Sequence, residues 1–447
     1  MEKWVVTAKK ADFQGIGRKY GIDPVIARII RNRDITGDEA IEEYLNGTLA
    51  DIPSWKLLKD IDKAVEIISG KIDAGTKMRI IGDYDIDGVT ATYILLKGFK
   101  RLGANVDTYI PDRVADGYGI HDHLIKKAME DGIDTIVTCD NGISASSQIT
   151  YAKELGMTVV VTDHHEVPFT DNEEGRTYIL PPADAIINPK QADCTYPNKN
   201  ICGAVVAMKL VFALYEKYRL PEEEKEDFLE PAAIATVGDI MDLQGENRIL
   251  VKEGLARLPF TKNKGLKALI RAIGLEDQKI TSYDIGFRLG PCINASGRLD
   301  TAMRSLALLQ SEDEEEAAKL AGDLKALNDS RKALTEKGTE EAYKLIESSD
   351  LKNDRVMVVF LPECHESLAG IIAGRIREKY HKPTFVLTRG EKSLKGSGRS
   401  TENYSMYEEL VKCDSLLVQY GGHPMAAGLS IEEENVEKFR QTLNDNC

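Results

Sequence analysis

Four short apolar segments in the first half of the chain each run directly into acidic or histidine residues. Segments with helical spacing separate them, which predicts a βαβ series with parallel strands. Parallel strands bring their carboxyl ends to one edge of the sheet, where open α/β sheets bind ligands. Carboxylates and imidazoles at that edge favour a site for divalent metals. In chain order, the predicted strands and the residues after them are 78–82 with DYDIDG, 106–110 with PDR, 135–138 with CDNG, and 158–161 with TDHH.

The length of 447 residues exceeds that at which one hydrophobic core usually stops growing, so two or three domains are expected. A second α/β region begins near residue 355. The acidic block at 311–316 opens a long charged helix, which we interpret as a bridge between domains; the alternative is a peripheral helix of one domain. We expect a helical segment at 1–75, a parallel-sheet domain at 76–310, a connecting helix at 311–349 and a smaller α/β domain at 350–447.

The formal net charge of −15 speaks against a nucleic acid as partner, but local clusters of basic residues decide where a polyanion binds. Residues 375–400 carry eight Lys or Arg side chains and two acidic ones, and form either a nucleic-acid surface or a solvated face. Seven scattered cysteines without a Cys-x-x-Cys pair favour the reducing cytoplasm and argue against structural zinc. The glycine patterns of P-loop and dinucleotide-binding enzymes do not occur, which disfavours both classes.

Asp83, Asp85 and Asp87 stand at alternate positions after the first predicted strand, and Gly88 follows them. In an extended loop, alternate residues turn their carboxylates to one side, so two or three could reach one or two cations. The alternative is a solvated turn, since Asp and Gly are common turn residues. A calcium-binding loop is disfavoured because its twelfth position requires a bidentate Glu, and that position holds Ile94.

Asp140 and the run 163–165 strengthen the metal interpretation. The adjacent histidines should point to different sides of the strand end, so that one binds metal while the other faces the substrate. An isolated pair of histidines is more often a surface or core feature. Here it coincides with acidic residues at the other strand ends. Several carboxylates with one or two imidazoles suit Mn²⁺ or Mg²⁺, and two such ions would promote in-line attack on phosphorus.

Three glycine-containing segments in the second half offer groups that could bind phosphate. Residues 395–400 (KGSGRS) combine backbone N–H access, hydroxyls and a guanidinium. Residues 421–428 should place His423 on a glycine-rich turn, and residues 294–298 contain a further Gly-Arg pair. Each segment is a weak signal alone, because glycine turns beside an arginine are common.

Together these motifs resemble the DHH phosphoesterase superfamily and, within it, the RecJ-type exonucleases specific for single-stranded DNA. The opening helices around 27–33 and 43–45 are also similar to the RecJ N-terminal segment, which relatives that degrade short oligonucleotides lack. The resemblance spans nearly the whole chain in family order. The motifs are 82–88 (GDYDIDG), 111–113 (PDR), 117–119 (GYG), 138–142 (TCDNG), 162–165 (TDHH), 236–239 (TVGD), 290–291 (GP), 294–298 (NASGR), 396–400 (GSGRS) and 421–423 (GGH).

The resemblance implies an α/β architecture in which a parallel-sheet DHH domain is joined by a long helix to a smaller DHHA1 domain, with the active site in the cleft between them. It implies two Mn²⁺ or Mg²⁺ ions, and a catalytic role for His165 at the scissile phosphate together with Asp140 and Asp163. The implied metal ligands are Asp85, Asp87, Asp140, His164 and Asp239, with Asp83 as an additional ligand.

The resemblance also implies residues that hold the nucleic-acid backbone and the 5′-terminal phosphate. The family usually has Trp-His-Pro where this chain has Cys364-His365-Glu366, so His365 lies in a segment that departs from the pattern. RecJ proteins generally continue into an OB-fold, whereas this sequence ends at Cys447, and we expect weak binding of long strands on that basis. The implied substrate-binding residues are Arg113, Arg298, Ser397 and Arg399, with His423 and His365 lining the same cleft.

The implied function is 5′-to-3′ hydrolysis of single-stranded DNA to 5′-mononucleotides in DNA repair and recombination. A single-strand-binding protein or a helicase is the expected protein partner. An alternative is a phosphodiesterase for short oligonucleotides or cyclic dinucleotides, which the absence of the OB-fold from this sequence favours and the N-terminal segment disfavours. A third is a replication-fork scaffold that has lost its metals. The retained carboxylates argue against a scaffold, because without catalysis nothing requires repelling charges to stay together.

Overall fold

The computed structural model describes residues 9–117, 119–172 and 175–447, so Tyr118 of the GYG motif lies outside the described residues. The chain divides into two compact units that are not contiguous in sequence. The domain boundaries expected at residues 75, 310 and 349 stay predictions. The first unit comprises Met1–Pro111, Tyr118–Pro291 and Ser305–Ala318, and the second comprises Asp112–Gly117, Cys292–Arg304 and Lys319–Cys447.

Short helices open the described chain, as the turn-rich sequence before residue 75 predicts. The first two begin at Asp12 and Asp23, whose carboxylates accept hydrogen bonds from the N–H groups of Gly15 and Val25. Gly21 ends the first helix with a φ of 64°, a conformation that glycine adopts without strain. The helices are α1 Phe13–Tyr20, α2 Pro24–Asn32, α3 Asp38–Asn46 and α4 Ile61–Asp73.

A parallel sheet with the strand order β2-β1-β3-β4-β7 follows, as the apolar segments predict. The four predicted strands, β1 to β4, end within one residue of the predicted positions, whereas β7 was not predicted. The carboxyl ends of β1, β3 and β4 lie side by side. β3 is buried along its whole length because Thr, Ile and Val fill both of its faces. The elements are β1 Met78–Ile81, α5 Ile86–Arg101, β2 Val106–Tyr109, α6 Asp122–Glu130, β3 Thr135–Cys139, α7 Ser146–Glu154, β4 Thr158–Thr162, the hairpin β5 Phe169–Asn172 and β6 Gly175–Tyr178, and β7 Ala185–Ile187.

Helices occupy the stretch after β7. α8 packs closely on α5, since a Cβ added at Gly98 would lie 2.6 Å from the side chain of Val211. Among the described residues, no helix has both the length and the hydrophobicity of a membrane-spanning segment. The elements are α8 Gly203–Lys217, α9 Leu229–Gly238, α10 Gly245–Arg257, α11 Lys264–Ala272, α12 Ser282–Asp284 with the π-helical turn Ile285–Leu289, α13 Gly290–Leu299, α14 Met303–Gln310 and α15 Glu314–Glu347.

The C-terminal part of the chain forms a mixed sheet with the order β11-β12-β10-β9-β8. Only β8 and β9 pair in parallel; the other neighbouring strands are antiparallel. One face packs into a core around Phe385 and Phe439, whose rings meet edge to face at 5.5 Å. The elements are β8 Met357–Phe360, α16 Glu366–Tyr380, β9 Thr384–Arg389, β10 Leu394–Arg399, α17 Met406–Lys412, β11 Leu417–His423, β12 Ala426–Ile431 and α18 Val436–Asn446.

Two glycine-rich segments that the sequence suggested were loops are strands. The segment that begins at Lys395 is β10, which pairs with β9 on one side and β12 on the other, so the ladder uses its backbone N–H groups. Gly396 and Gly398 are needed for packing, because an added Cβ would lie 2.6 Å from Leu387 and Phe385 respectively. His423 ends β11 rather than standing in a glycine-rich turn.

Candidate metal centre

The acidic run after β1 is divided between a loop and the first turn of a helix. Asp85 caps α5, because its carboxylate accepts hydrogen bonds from the N–H groups of Asp87, at 2.9 Å, and Gly88, at 3.1 Å. Asp87 lies inside the helix, so the predicted extended loop through all three aspartates was wrong. The run forms a helix N-terminus because short polar residues satisfy the first backbone N–H groups.

Asp87 is buried and is fixed from the opposite side by α8. Its carboxylate accepts hydrogen bonds from the N–H groups of Gly203, at 2.6 Å, and Ala204, at 2.8 Å. These are the first residues of α8, where the partial positive charge of the helix dipole favours an anion. The position of this carboxylate is therefore set by the fold before any cation binds.

Asp140 follows β3 with a φ of 59°, which is uncommon for a residue with a side chain. This turn places the buried carboxylate of Asp140 beside the start of α8. A Cβ added at Gly203 would lie 2.8 Å from both Cβ and Oδ1 of Asp140, so only glycine fits there. Strained backbone of this kind persists where the surrounding structure holds it, often at functional sites.

His164 brings the carboxylates of three separate elements together. Its Nε2 lies 3.1 Å from Oδ1 of Asp140 and 3.6 Å from a carboxylate oxygen of each of Asp87 and Asp239. Ligands of one ion at about 2.1 Å in octahedral geometry lie about 3 Å apart. The separations around His164 are therefore close to those of donors that share a cation.

The two histidines do not diverge as the sequence suggested. Nδ1 of His165 lies 4.0 Å from the same Asp140 oxygen, and the two imidazole centroids are 4.5 Å apart. The reason lies in Asp163, whose carboxylate accepts hydrogen bonds from the N–H groups of both histidines. This local turn ends the strand alternation on which the expectation depended.

Asp163 orients His165 rather than joining the donor groups. Its Oδ1 lies 2.8 Å from Nδ1 of His165, and its Oδ2 accepts a hydrogen bond from the N–H of Ile143 at 2.9 Å. Burial alone would raise the pKa of Asp163, but these hydrogen bonds lower it below its usual value. Burial alone would lower the pKa of His165, but the bond to Asp163 and the nearby carboxylates raise it to about 9.

The donor atoms form three overlapping groups, within each of which all atoms lie within 4.8 Å of one another. Asp140 and His164 each belong to two groups, which suits two neighbouring cations that share ligands. Carboxylate oxygens with one or two imidazole nitrogens match Mn²⁺ or Mg²⁺. The groups are Asp83 with Asp85 and Asp140, Asp87 with His164 and Asp239, and Asp140 with His164 and His165.

The electrostatics of the cluster also fit cations. Burial, and then the neighbouring carboxylates, raise the pKa of Asp85, raise that of Asp140 well above its usual value, and raise that of Asp239 to about 8. Burial lowers the pKa of His164, which favours the neutral imidazole that binds metals. Divalent cations would remove the carboxylate repulsion, so the residues present fit the implied ions.

Among the described residues, the donor groups do not include the aspartate at the end of β2, and two residues that shape the cluster had no clear sequence signal. Asp112, after β2, accepts hydrogen bonds from the N–H groups of Val114 and Ala115 in its own turn, because β2 is the edge strand. Asp239 is the C-cap residue of α9 and reaches the cluster from that helix end; it was expected as a ligand only from the family resemblance. Gly203 was missed altogether; a glycine at the start of an apolar helix was its only signal.

The phosphate-binding candidates lie in the second unit, and several are close together there. Burial lowers the pKa of Arg399, and the cations of Arg113 and Arg377 lower it further. The Arg399 guanidinium packs against α16, since a Cβ added at Gly370 would lie 2.7 Å from its Nη2. It donates one hydrogen bond, at 2.7 Å, to the carbonyl of Gly398. This cluster of like charges suits an anion.

Arg298 and His365 both contact Ser367 in the first turn of α16. Arg298 donates from Nη1 to the carbonyl of Ser367 at 2.8 Å. His365 caps the helix, and its Nδ1 accepts a hydrogen bond from the N–H of Ser367. The His365 imidazole therefore caps α16, and its expected role in substrate binding stays a prediction.

Ser397 and His423 occupy positions in the sheet. Ala426 is the register partner of both Arg399 and His423, so these two stand in one row with about 10 Å between their Cα atoms. Ser397 lies two residues before Arg399 on β10, on the same face. The structure thus brings Ser397, Arg399 and His423 to one region of the sheet.

Comparison with known proteins adds a consistent set of similarities. Residues 77–236 match the DHH family, N-terminal domain, and residues 353–447 match the DHHA1 domain. The single-stranded-DNA-specific exonuclease RecJ of Salmonella typhimurium is 36% identical over 443 residues, which are 95% of this chain and 74% of that protein.

Two solved structures are also similar. The crystal structure of RecJ in complex with Mn²⁺ from Thermus thermophilus has a TM-score of 0.82 at 32% identity, over 97% of this chain and 60% of that one. The complex with Mg²⁺ from the same organism has a TM-score of 0.76 at 30% identity, over 97% and 58%. This chain thus spans about three-fifths of the length of those solved chains.

Proposed function

The chain belongs to the RecJ family of single-stranded-DNA-specific exonucleases, and on that premise we propose that it is a divalent-metal-dependent exonuclease. It hydrolyses single-stranded DNA from the 5′ end and releases 5′-mononucleotides, in DNA repair and recombination. The observation that supports this most directly is the overlap of the donor groups at Asp140 and His164, which suits two cations.

The residues of the metal centre have separate tasks in this proposal. The two cations that these residues would hold would activate water for attack and neutralise charge on the phosphate. Asp87 is held by the start of α8, so its orientation is fixed in advance. Asp163 holds His165 through Nδ1, which makes Nε2 the nitrogen that would contact the scissile phosphate. The metal ligands are Asp83, Asp85, Asp87, Asp140, His164 and Asp239.

The arginines of the second unit hold the DNA strand. Arg399 is partly buried beside Arg113 and Arg377, and a terminal phosphate would relieve the repulsion among these cations. Arginine binds phosphate bidentately, which gives geometric selectivity for a terminal group. Arg298, Ser397, His423 and His365 complete the set of proposed strand contacts.

Single-stranded DNA is the substrate in this proposal, and a single-strand-binding protein or a helicase is the candidate protein partner. Either would present the strand ends that the enzyme consumes. A pull-down with the purified full chain would test each partner separately.

The function is tested with a 30-nucleotide single strand that carries a 5′-phosphate, in Mn²⁺. We expect mononucleotides from the 5′ end, so a 5′ label is released at once and a 3′ label last. Asp140→Asn should reduce turnover by at least a thousandfold, because it removes a charge shared by two donor groups while Asn tolerates the positive φ. Activity within tenfold of the unsubstituted chain would refute the role of Asp140.

The matched control is Asp112→Asn, which alters an aspartate that follows a strand of the same sheet but accepts hydrogen bonds only in its own turn among the contacts described above. An amide oxygen can still accept these bonds, so activity should be unchanged. Efficient hydrolysis of a dinucleotide with little activity on the 30-mer would replace the exonuclease proposal by that of a short-oligonucleotide phosphodiesterase.

A further inference from the structure

Two large aromatic side chains of the first unit are stacked on each other yet largely exposed. Tyr283 and Phe287 have ring centroids 4.7 Å apart and an interplanar angle of 27°. Their exposed fractions are 64% and 65%. Aromatic rings usually lie in the core, so an exposed stacked pair marks a surface that meets an apolar partner. We call these two residues the aromatic pair.

The backbone that carries the aromatic pair is hydrogen-bonded at both of its ends. Thr281 and Asp284 form a reciprocal capping box at the start of α12. Arg288, at the other end, donates to Asp284 at 3.2 Å and to the carbonyl of Ile273 at 2.7 Å. A platform that is already ordered loses little conformational entropy when a ligand binds.

The segment that carries the aromatic pair packs against sequence neighbours of the proposed metal ligands. A Cβ added at Gly290 would lie 3.1 Å from Ile86, which stands between Asp85 and Asp87. Gly286 faces Val237, two residues before Asp239. The π-helical turn that holds Phe287 and the residue after it therefore contact two of the elements that carry proposed metal ligands, α5 and α9. Turns of this kind occur frequently at functional sites.

Ile240 adds a second observation at the same end of α9. It follows Asp239, has a φ of 57° and is 88% exposed. A β-branched residue in this conformation is an outlier, and exposure of its side chain gives no compensation from packing. The apolar side chain of Ile240 is thus exposed on strained backbone directly after Asp239, a proposed metal ligand.

We propose that the aromatic pair is a stacking platform for a base of the single strand whose phosphate is at the metal centre. This inference rests on the proposed function. Every base has an apolar face, so stacking binds a strand without reading its sequence. The carboxylate of Asp284, beside Tyr283, is paired with Arg288, which reduces its repulsion of the DNA backbone.

The test compares the full chain with the double variant Y283A/F287A on a 5′-phosphorylated 12-nucleotide strand in Mn²⁺. We expect KM to rise about tenfold, equivalent to about 1.4 kcal/mol, with kcat at saturation unchanged. A second substrate has abasic sites at all positions except the 5′ nucleotide, so it offers no further base for stacking. With this substrate the unsubstituted chain should already show the raised KM, and the double variant should show the same KM.

A reporter base separates stacking from a structural role. 2-Aminopurine placed at successive positions should be quenched at one position by the unsubstituted chain and not by the double variant. Tyr283→Phe should retain the original KM, because stacking does not need the hydroxyl. Phe260→Ala removes another exposed aromatic ring of this unit, 84% exposed, and should leave KM unchanged.

The outcomes distinguish the two proposals. If the unsubstituted chain does not degrade the strand, the proposed function fails. If the unsubstituted chain degrades the strand, two results would overturn the platform proposal alone. One is an unchanged KM in the double variant. The other is a rise of KM in the double variant that is as large on the abasic strand as on the ordinary strand. An unchanged melting temperature of the double variant shows that the fold is intact.

Discussion

Gly203→Ala should disable the metal centre without unfolding the protein. The added Cβ would lie 2.8 Å from Oδ1 and Cβ of Asp140, whereas ordinary contacts begin at 3.4 Å. One of the two groups must therefore move by about 0.6 Å. A shift of the start of α8 should also displace the Asp87 carboxylate, because the N–H of Gly203 donates a hydrogen bond to it.

The expected effect on turnover follows from this displacement. A 1 Å misplacement of a reacting group can reduce the rate about a hundredfold. We expect kcat to fall about 10- to 100-fold, equivalent to about 1.4–2.7 kcal/mol in the activation barrier. The affinity for Mn²⁺, measured without DNA by the paramagnetic resonance of the free ion, should fall in the same variant.

Gly70→Ala is the matched control for this substitution. Gly70 lies in α4 of the same unit, and nothing lies within 4 Å of an added Cβ. Alanine favours the helix over glycine, so stability should rise slightly and activity should not change. A Gly203→Ala variant that kept more than half of the activity and the Mn²⁺ affinity of the unsubstituted chain would refute the role assigned to Gly203.

Three further predictions concern charge. Asp140→Asn should raise the melting temperature of the metal-free protein, because it relieves carboxylate repulsion, and should reduce the stabilisation that Mn²⁺ provides; a lower metal-free melting temperature would contradict this. Glu246→Gln should leave the buried ammonium of Lys209, which lies 3.0 Å from the carboxylate, without its anionic partner and destabilise the protein by about 3–5 kcal/mol. Adding Lys209→Met should restore part of the lost melting temperature. Arg399→Ala should reduce the preference for 5′-phosphate over 5′-hydroxyl ends about tenfold or more, from contacts of about 1.5–3 kcal/mol, while Lys382→Ala, whose ammonium binds the carbonyl of Lys352, should retain it.

The sheet and its carboxyl edge were predictable because their signal is local. Runs such as 135–138 are apolar on both faces, and the polar residues after them follow at once in the sequence. Because the strands pair in parallel, the polar residues that follow each strand lie close together at one edge of the sheet. Asp85, Asp140 and His164 were found in this way, and the structure brings their side chains into the overlapping donor groups.

The sequence-based predictions that were wrong concern segments whose local composition is compatible with more than one structure. Gly396, Ser397 and Gly398 have the composition of a loop, yet tertiary packing makes them a central strand because Phe385 and Leu387 need the space that glycine leaves. Asp112 follows a strand like the other aspartates, but its strand is at the sheet edge. The order of strands in the sheet decides whether such an aspartate reaches the metal centre, and no local sequence pattern predicts that order.

The metal centre depends on helix ends as much as on strand ends, which explains how it can gather so many carboxylates. Asp85 accepts hydrogen bonds from the start of α5, and Asp87 from the start of α8, so two partial positive charges face the cluster before any cation does. Burial, and then repulsion among the carboxylates, raise the pKa of Asp140 and Asp239. The contacts with the helix ends offset part of that repulsion. The partner of Asp87 lies 116 residues away in the sequence, so no motif could reveal it. The fold thus supplies a prearranged site that is still negatively charged, and the remaining charge is what a pair of divalent cations would neutralise.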